Sequence, residues 1–215
     1  MYRQKLREIS RQSRFPIDEF GADHFVLTQE AIGELRQLDY FDRWLMALRQ
    51  NWFHVKMADG SLFIFREGRL PAYSYMHCPL DIVTFADFLN EIGEFDCPQV
   101  RREFRAQYEQ LLETASRKLH VTPIRFDFDP AGYRPGVHPA AHIHIGLQNP
   151  IRIATNRMSS TSFVLFVMRQ MYPESWARLL GKSNCDYFVR CIRDDSTLLP
   201  IEYRSELDAI ELHLL

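Results

Sequence analysis

Three of the eight histidines in the 215-residue chain lie within seven positions of each other, at His138, His142 and His144. In a β-strand, His142 and His144 point to one face, while the isoleucines beside them point to the other. Two imidazoles on one strand face can bind a metal ion or act as an acid–base pair. Pro139 stiffens the chain that leads to them. This segment is the strongest candidate for chemistry in the sequence.

A second predicted strand, residues 121–128, precedes the histidines and carries charged side chains. Alternation places Arg125, Asp127 and Asp129 on one face and apolar side chains on the other. If the two strands are neighbours, imidazoles, carboxylates and a guanidinium share one polar surface. The alternative interpretation is a solvated sheet face on which opposite charges neutralise each other.

Two arginines, Arg152 and Arg157, come shortly before the Ser159-Ser160-Thr161-Ser162 run, which predicts the start of a helix. Free N–H groups at a helix start, hydroxyls and two guanidiniums could hold a phosphate. The alternative is N-capping by serine beside two surface arginines. Cleavage of a phosphodiester needs an acid, a base and a cationic stabiliser, which the histidines and arginines together would supply.

The composition favours an ordinary globular protein, since 46% of the residues are hydrophobic, 25% are charged and the formal net charge is −2. This charge gives no overall attraction to nucleic acid or to a membrane, and no apolar run reaches the roughly 20 residues that span a bilayer. The N-terminal residues do not form a secretory signal, and the four cysteines contain no C-x-x-C pair. We therefore expect a cytoplasmic protein with reduced thiols and no membrane association.

Helices and strands alternate without a βαβ rhythm, and an Asp59-Gly60 pair between two β-rich runs predicts a hairpin. The predicted strands are residues 52–57, 61–66, 73–76, 121–128, 141–147 and 185–192, and the predicted helices are residues 2–14, 28–48, 85–92, 98–119 and 159–171, followed by a helical tail. We expect a single α+β domain with a mainly antiparallel sheet flanked by helices. Residues 1–50 would be a helical segment packed on the core, and residues 51–215 the core domain that carries the site.

The central third of the chain resembles a bacterial protein family of unknown function. The resemblance rests on an R-x-D-x-D-P segment, Arg125 to Pro130, and on an H-P-x-x-H-x-x-x-G segment, His138 to Gly146, with Arg152 after them. A looser similarity is to small toxin-type proteins with an R-Y-D segment before a histidine cluster, although Phe126 stands where those have tyrosine. The resemblance implies a defence or toxin–antitoxin setting and no established activity. It also implies that Arg125, Asp127, His138, His142 and Arg152 act together.

The leading hypothesis is an enzyme that acts on RNA or a nucleotide, a histidine-dependent phosphodiesterase or ribonuclease-like protein without a cofactor. The predicted catalytic residues are His138, His142, His144 and Asp127, and the predicted substrate-binding residues are Arg125, Arg152 and Arg157.

Two further hypotheses stay open at this point. In the first, His138, His142, His144 and Asp127 hold a divalent metal such as zinc in a hydrolase, with water in the open position. In the second, the protein is a non-catalytic interaction subunit whose charged strand faces contact a protein partner or a second copy of the chain. The sequence does not decide between enzyme and interaction subunit, and it leaves substrate, metal content and oligomeric state open.

Overall fold

A computed structural model describes residues 2–25, 28–147, 151–182, 186–188, 190 and 197–208. Seven strands form one antiparallel sheet, and each strand lies beside the strands that precede and follow it in the chain. Helices occur before, between and after these strands. This arrangement confirms the predicted α+β fold class with a mainly antiparallel sheet.

The bounds of the elements are as follows. The strands are β1 (Ile17–Phe20), β2 (Val55–Met57), β3 (Leu62–Arg66), β4 (Ala72–Met76), β5 (Ile124–Phe128), β6 (Ala141–Ile145) and β7 (Arg152–Ala154). The helices are α1 (Tyr2–Ser13), α2 (Gln29–Gln37), α3 (Tyr40–Arg49), α4 (Phe85–Glu91), α5 (Pro98–Glu103), α6 (Arg105–Thr114), α7 (Ser160–Met171) and α8 (Pro173–Leu180), with a 3-10 turn at Ile201–Tyr203.

The chain divides into two compact units that interleave along the sequence. The first unit comprises residues 1–16, 63–75 and 122–215, and the second comprises residues 17–62 and 76–121. Helix α1 therefore belongs to the first unit, whereas α2 and α3 belong to the second. The division at residue 50 that the sequence suggested stays a prediction.

The core of the first unit is aromatic and lies between its strands and α7. The rings of Tyr73 on β4 and Phe126 on β5 stack at 5.5 Å, and the ring of Phe163 on α7 lies 5.8 Å from that of Tyr73. All three side chains are buried. Burying one such ring stabilises the fold by roughly 1.5–3 kcal/mol, so these residues decide which face of the sheet turns inward.

The second unit contains the predicted Asp59-Gly60 turn. Gly60 has a φ of +80°, which glycine adopts without strain, and the N–H of Met57 donates to the carbonyl of Ser61 at 2.8 Å. The buried indole of Trp44 on α3 donates to the carbonyl of Gly60 at 3.0 Å and fixes the turn against the helix. The predicted hairpin is confirmed.

Two helices predicted as continuous are interrupted. The predicted helix over residues 28–48 becomes α2 and α3, because the side chain of Asp39 accepts the N–H of Asp42 and caps a new helix. The predicted helix over residues 98–119 breaks at Phe104, which packs against an aromatic cluster, and ends at Thr114.

The end of that second helix has a local cause. Residues 116–118 form backbone hydrogen bonds with residues 79–81, including Lys118 N–H to the carbonyl of Pro79 at 2.8 Å, and these bonds hold the chain extended. The strand predicted for residues 185–192 is wrong where the structure describes it, since residues 186–188 are helical. Residues 185, 189, 191 and 192 and the predicted tail beyond residue 208 lie outside the described residues.

Candidate functional site

Strands β5, β6 and β7 bring most of the predicted site residues onto one sheet face. Arg125 pairs with His144 and Asp127 with His142 between β5 and β6, and His144 pairs with Arg152 between β6 and β7. Directly opposite residues of antiparallel strands point to the same side of the sheet. The two polar strands of the sequence hypothesis are therefore neighbours, with their polar faces joined.

The opposite face of the same strands explains why this register forms. Ile124, Phe126 and Ile143 alternate with the polar residues and are at most 2% exposed. A slip of one residue would turn these side chains out of the core and bury the charges instead, so the register is strongly specified. The apolar residues thus position the polar ones.

The ring nitrogens of the two central histidines have well-defined partners. His142 and His144 are 2% and 3% exposed, and each directs its Nδ1 at a backbone carbonyl. His142 Nδ1 lies 2.8 Å from the oxygen of Pro139, and His144 Nδ1 lies 3.1 Å from that of Ile151. Because a carbonyl only accepts, each Nδ1 carries the proton, and Nε2 of the neutral ring bears a lone pair.

These two Nε2 atoms face each other at 3.0 Å, and the Oδ2 of Asp127 lies 3.6 Å from His144 Nε2. With both rings neutral, three acceptor atoms converge without a proton between them, an arrangement that a cation stabilises. Asp127, His142 and His144 are called the histidine cluster below. Their candidate ligand atoms all lie within 4.8 Å of one another.

The surroundings of the histidine cluster oppose protonation of its imidazoles, so a proton is disfavoured as the stabilising cation. Burial, reinforced by the charge of Arg125, lowers the pKa of His144 to about 4. Burial also lowers the pKa of His142, with partial compensation from the carbonyl of Pro139 and the carboxylate of Asp127. Both imidazoles are therefore neutral near pH 7, and their Nε2 lone pairs can bind a metal ion.

Asp127 on β5 and Asp129 in the turn after it are held by different partners. Arg125 Nε donates to Asp127 Oδ2 at 2.5 Å and fixes the carboxylate beside His144. Asp129 Oδ1 accepts the N–H of Gly132 at 3.1 Å. A Cβ at position 132 would collide with Asp129 Oδ2, so a larger residue there must displace this carboxylate. Asp129 therefore shapes the loop that leads to His138.

His138 lies beside the histidine cluster but is not one of its convergent ligands. Its backbone forms two hydrogen bonds with Arg134, and its ring centroid is 4.8 Å from that of His142. Its Nδ1 is buried and has no hydrogen-bond partner among the described residues. Of the four residues in the sequence hypothesis of a metal site, the structure brings three together and leaves His138 next to them.

A cavity of about 320 Å³ lies over this polar face. Each of the predicted catalytic and substrate-binding residues lines it except Arg157, and Arg66, Leu70, Phe128 and Asp129 complete the lining. Arg157 instead donates to the carbonyl of Gly68 at 3.0 Å and lies over the ring of Phe128. At the start of α7, Ser159 Oγ accepts the N–H of Ser162, so the helix caps itself there.

Arg66 is the basic cavity residue that sequence reasoning missed. It ends β3, where Phe63 and Phe65 face the aromatic core, and alternation therefore turns Arg66 toward the polar face. That alternation was a usable signal. Nothing in the sequence indicated that Arg66 lies near β5 and β6, because β3 is connected to them only through the pairing of β4 with β5.

The fold and site describe an α+β protein with a buried His–His–Asp cluster under a cavity lined by arginines. The chain belongs to the DUF2290 family of uncharacterised conserved proteins, whose family model matches residues 10–202. No curated protein and no solved structure matches the chain significantly. In the part of the chain that the structure describes, no helix has the length and apolar character needed to cross a membrane. The predicted family of unknown function is confirmed at this level, and its bacterial and toxin-like character stays a prediction.

Proposed function

We propose that this protein is a divalent-metal-dependent hydrolase. Its metal ligands are the Nε2 atoms of His142 and His144 and a carboxylate oxygen of Asp127. One observation carries the proposal: two buried imidazoles, each with its Nδ1–H bonded to a carbonyl, place their bare Nε2 atoms 3.0 Å apart beside a carboxylate. Metal-binding histidines characteristically donate their other ring N–H to such a carbonyl, which fixes the tautomer and orients the ring.

The same observation favours a metal over the cofactor-free acid–base mechanism that led the sequence hypotheses. An acid–base pair at this position needs a proton on one of the two Nε2 atoms near neutral pH. Burial lowers the pKa of both His142 and His144 and so opposes that proton. A metal ion supplies positive charge without it.

Two imidazole nitrogens and one carboxylate oxygen suit zinc, which keeps a fourth position for water in its catalytic sites. The same ligand set also suits iron(II), so the identity of the ion is part of the test. A divalent ion held by Asp127, His142 and His144 would lower the pKa of bound water to about 7 and so supply hydroxide as the nucleophile.

His138 lines the same cavity, with its ring centroid 4.8 Å from that of His142, and would accept the proton of that water. The water oxygen would form a bond to the electrophilic centre of the ester as the bond to the leaving-group oxygen breaks. The leaving group would take up the proton from His138, so that the net reaction is hydrolysis of one ester bond.

Metal binding tests this proposal directly. Chelator-treated protein is titrated with Zn²⁺, Mn²⁺ and Fe²⁺ by isothermal calorimetry, and the metal content of freshly purified protein is measured by mass spectrometry. We expect about one ion per chain in the unaltered protein, and none in His142→Ala or His144→Ala. His120→Ala is the matched control, because His120 is exposed and lies outside the cavity.

Three results would contradict the proposal. The first is no metal binding, and the second is equal binding by His144→Ala and His120→Ala. The third is iron in a protein that hydrolyses no ester, which would retain the metal site and reject hydrolysis.

A further inference from the structure

The cavity contains more positive charge than its own residues neutralise. Of its three arginines, Arg125 is committed to Asp127. Arg152 is exposed, and its side chain forms neither a hydrogen bond nor an ion pair with any residue that the structure describes. Arg66 donates its Nε to the carbonyl of Leu70 at 3.2 Å, and its terminal nitrogens have no partner within the described ranges.

The acidic residues of the cavity are engaged elsewhere. Asp127 contacts Arg125 and lies beside His144, and Asp129 accepts the backbone N–H of Gly132. Among the described residues, neither carboxylate forms an ion pair with Arg66 or Arg152. Two guanidiniums in one cavity without an acidic partner favour an anionic ligand.

The two arginines approach the histidine cluster from opposite sides. Arg152 on β7 pairs directly with His144, whereas Arg66 ends β3, two strands before Asp127 on β5. Neighbouring strands are about 4.8 Å apart, so four strand steps place the two backbone positions roughly 19 Å from each other across the cluster. An anion above the cluster would therefore lie between the two guanidiniums.

We propose that Arg66 and Arg152 form a two-sided site that holds the phosphoryl group of a phosphodiester, as in RNA or a nucleotide, over the histidine cluster. This inference rests on the proposed hydrolase function. A tetrahedral phosphoryl group presents oxygens in several directions and can accept from two opposed guanidiniums while a third oxygen faces the metal ligands. A carboxylate directs both of its oxygens to one side and matches a single arginine.

The remaining lining fits a ligand larger than free phosphate. The cavity volume of about 320 Å³ lies at the lower end of the range for small-molecule sites. Leu70 and Phe128 are the apolar residues among those that line it. A cavity of this size, with apolar as well as charged lining, suits a phosphoryl group together with part of an attached sugar or base.

Inorganic phosphate is the simplest probe of this site. Its binding to the zinc-loaded protein is measured by calorimetry, together with the hydrolysis of bis(p-nitrophenyl) phosphate. Arg66→Gln and Arg152→Gln are expected to weaken phosphate binding about tenfold each and to leave zinc content unchanged. Arg69→Gln is the matched control, since Arg69 is exposed in the same β3–β4 connection and does not line the cavity. We expect no change in that variant.

The outcomes separate this inference from the proposed function. Equal phosphate affinity in the Arg66, Arg152 and Arg69 variants overturns the two-sided site, even if zinc binds. Acetate that competes with phosphate at equal concentration also overturns it, because the site then takes carboxylates. Phosphate binding that depends on both arginines in a protein that binds no metal keeps the anion site and rejects the metal-dependent hydrolase.

Discussion

Two polar clusters, one in each compact unit, differ in how their charges are neutralised. In the second unit, Asp18 is 7% exposed and contacts two cations, Lys56 at 3.0 Å and Arg101, which also contacts Asp96 at 2.5 Å. Every charge of this ion-pair cluster has a partner of opposite sign. In the first unit, the histidine cluster directs acceptor atoms at one another instead.

The difference separates a structural network from a candidate site. Burying a charge is costly unless it is paired and hydrogen-bonded, and the ion-pair cluster meets that condition with its own side chains. In the histidine cluster the charge of Asp127 is paired with Arg125, but the two Nε2 acceptors face each other with no donor between them. A buried polar group whose own partners are insufficient is therefore the stronger indication of a ligand.

The largest expected effect comes from breaking the ion-pair cluster. Asp18→Asn removes the shared acceptor of Lys56 and Arg101 and should lower the free energy of unfolding by about 3 kcal/mol. Urea unfolding followed by circular dichroism measures this. In the control, Arg11→Gln breaks an exposed pair with Glu8 and should change stability by less than about 0.5 kcal/mol. Similar losses in the two variants would show that the buried cluster contributes no more than a surface pair.

Zinc should stabilise the histidine cluster by a comparable amount. At a free concentration one hundred times its Kd, an ion that binds only the folded protein adds about 2.7 kcal/mol to the free energy of unfolding. We expect this gain in the unaltered protein and in Asp18→Asn, and not in His144→Ala. Thermal unfolding with and without zinc gives the comparison. A gain that survives in His144→Ala would place the ion elsewhere.

Asp208 lies in the same unit as the histidine cluster. Like those of Asp18, its carboxylate oxygens are contacted by donors of the protein itself. Asp208 is 7% exposed and accepts hydrogen bonds from Tyr133 at 2.6 Å, from the N–H of Gly136 at 2.8 Å and from Ser205. Asp208→Ala should cost about 2 kcal/mol, because it removes the charged acceptor of the hydrogen bonds from Tyr133, Gly136 and Ser205. Equilibrium unfolding provides the measurement, and a loss below about 0.5 kcal/mol would contradict it.

The pH dependence of Asp208 sharpens the same contrast. Burial would raise its pKa, but the hydrogen bonds from Tyr133, Gly136 and Ser205 outweigh burial and hold the pKa below its ordinary value. The stabilisation is therefore present above the ordinary range of an aspartate, near pH 4, and is lost as the pH falls through the lowered pKa. As the pH falls from 7 to 3, the free energies of unfolding of the unaltered protein and of Asp208→Ala should approach each other. Values that stay equally far apart would exclude this linkage.

The smallest expected effect on stability concerns the turn before His138. Gly132→Ala places a Cβ against the carboxylate of Asp129 and 3.1 Å from His138 Cε1, so both side chains must shift. We expect a stability loss of about 1 kcal/mol, together with a fall in hydrolysis at unchanged zinc content. Calorimetry measures the loss of stability, and the bis(p-nitrophenyl) phosphate assay measures the fall in hydrolysis. Full activity would show that the position of His138 is not critical.

Much of the candidate site follows from local rules. Strand alternation assigns Arg125 and Asp127 to one face, and likewise His142 and His144, because the side-chain period of a strand is two wherever the strand lies. Asp-Gly chemistry likewise indicates the hairpin at Gly60. The helix breaks at Asp39 and Phe104 were harder to foresee, since they depend on a capping side chain and on a tertiary aromatic cluster that compete with helix periodicity.

Two features follow from the chain alone: which residues share a strand face, and that the histidines lie near carboxylates and arginines in the sequence. Tertiary structure alone decided the chemical state of the histidine cluster. The carbonyls of Pro139 and Ile151 set the tautomers, and burial between β5 and β7 keeps both rings neutral. Tertiary structure also brought Arg66 to the cavity and left Arg157 outside it. Periodicity is a property of adjacent residues, whereas desolvation and hydrogen-bond partners come from segments that meet only in the folded chain.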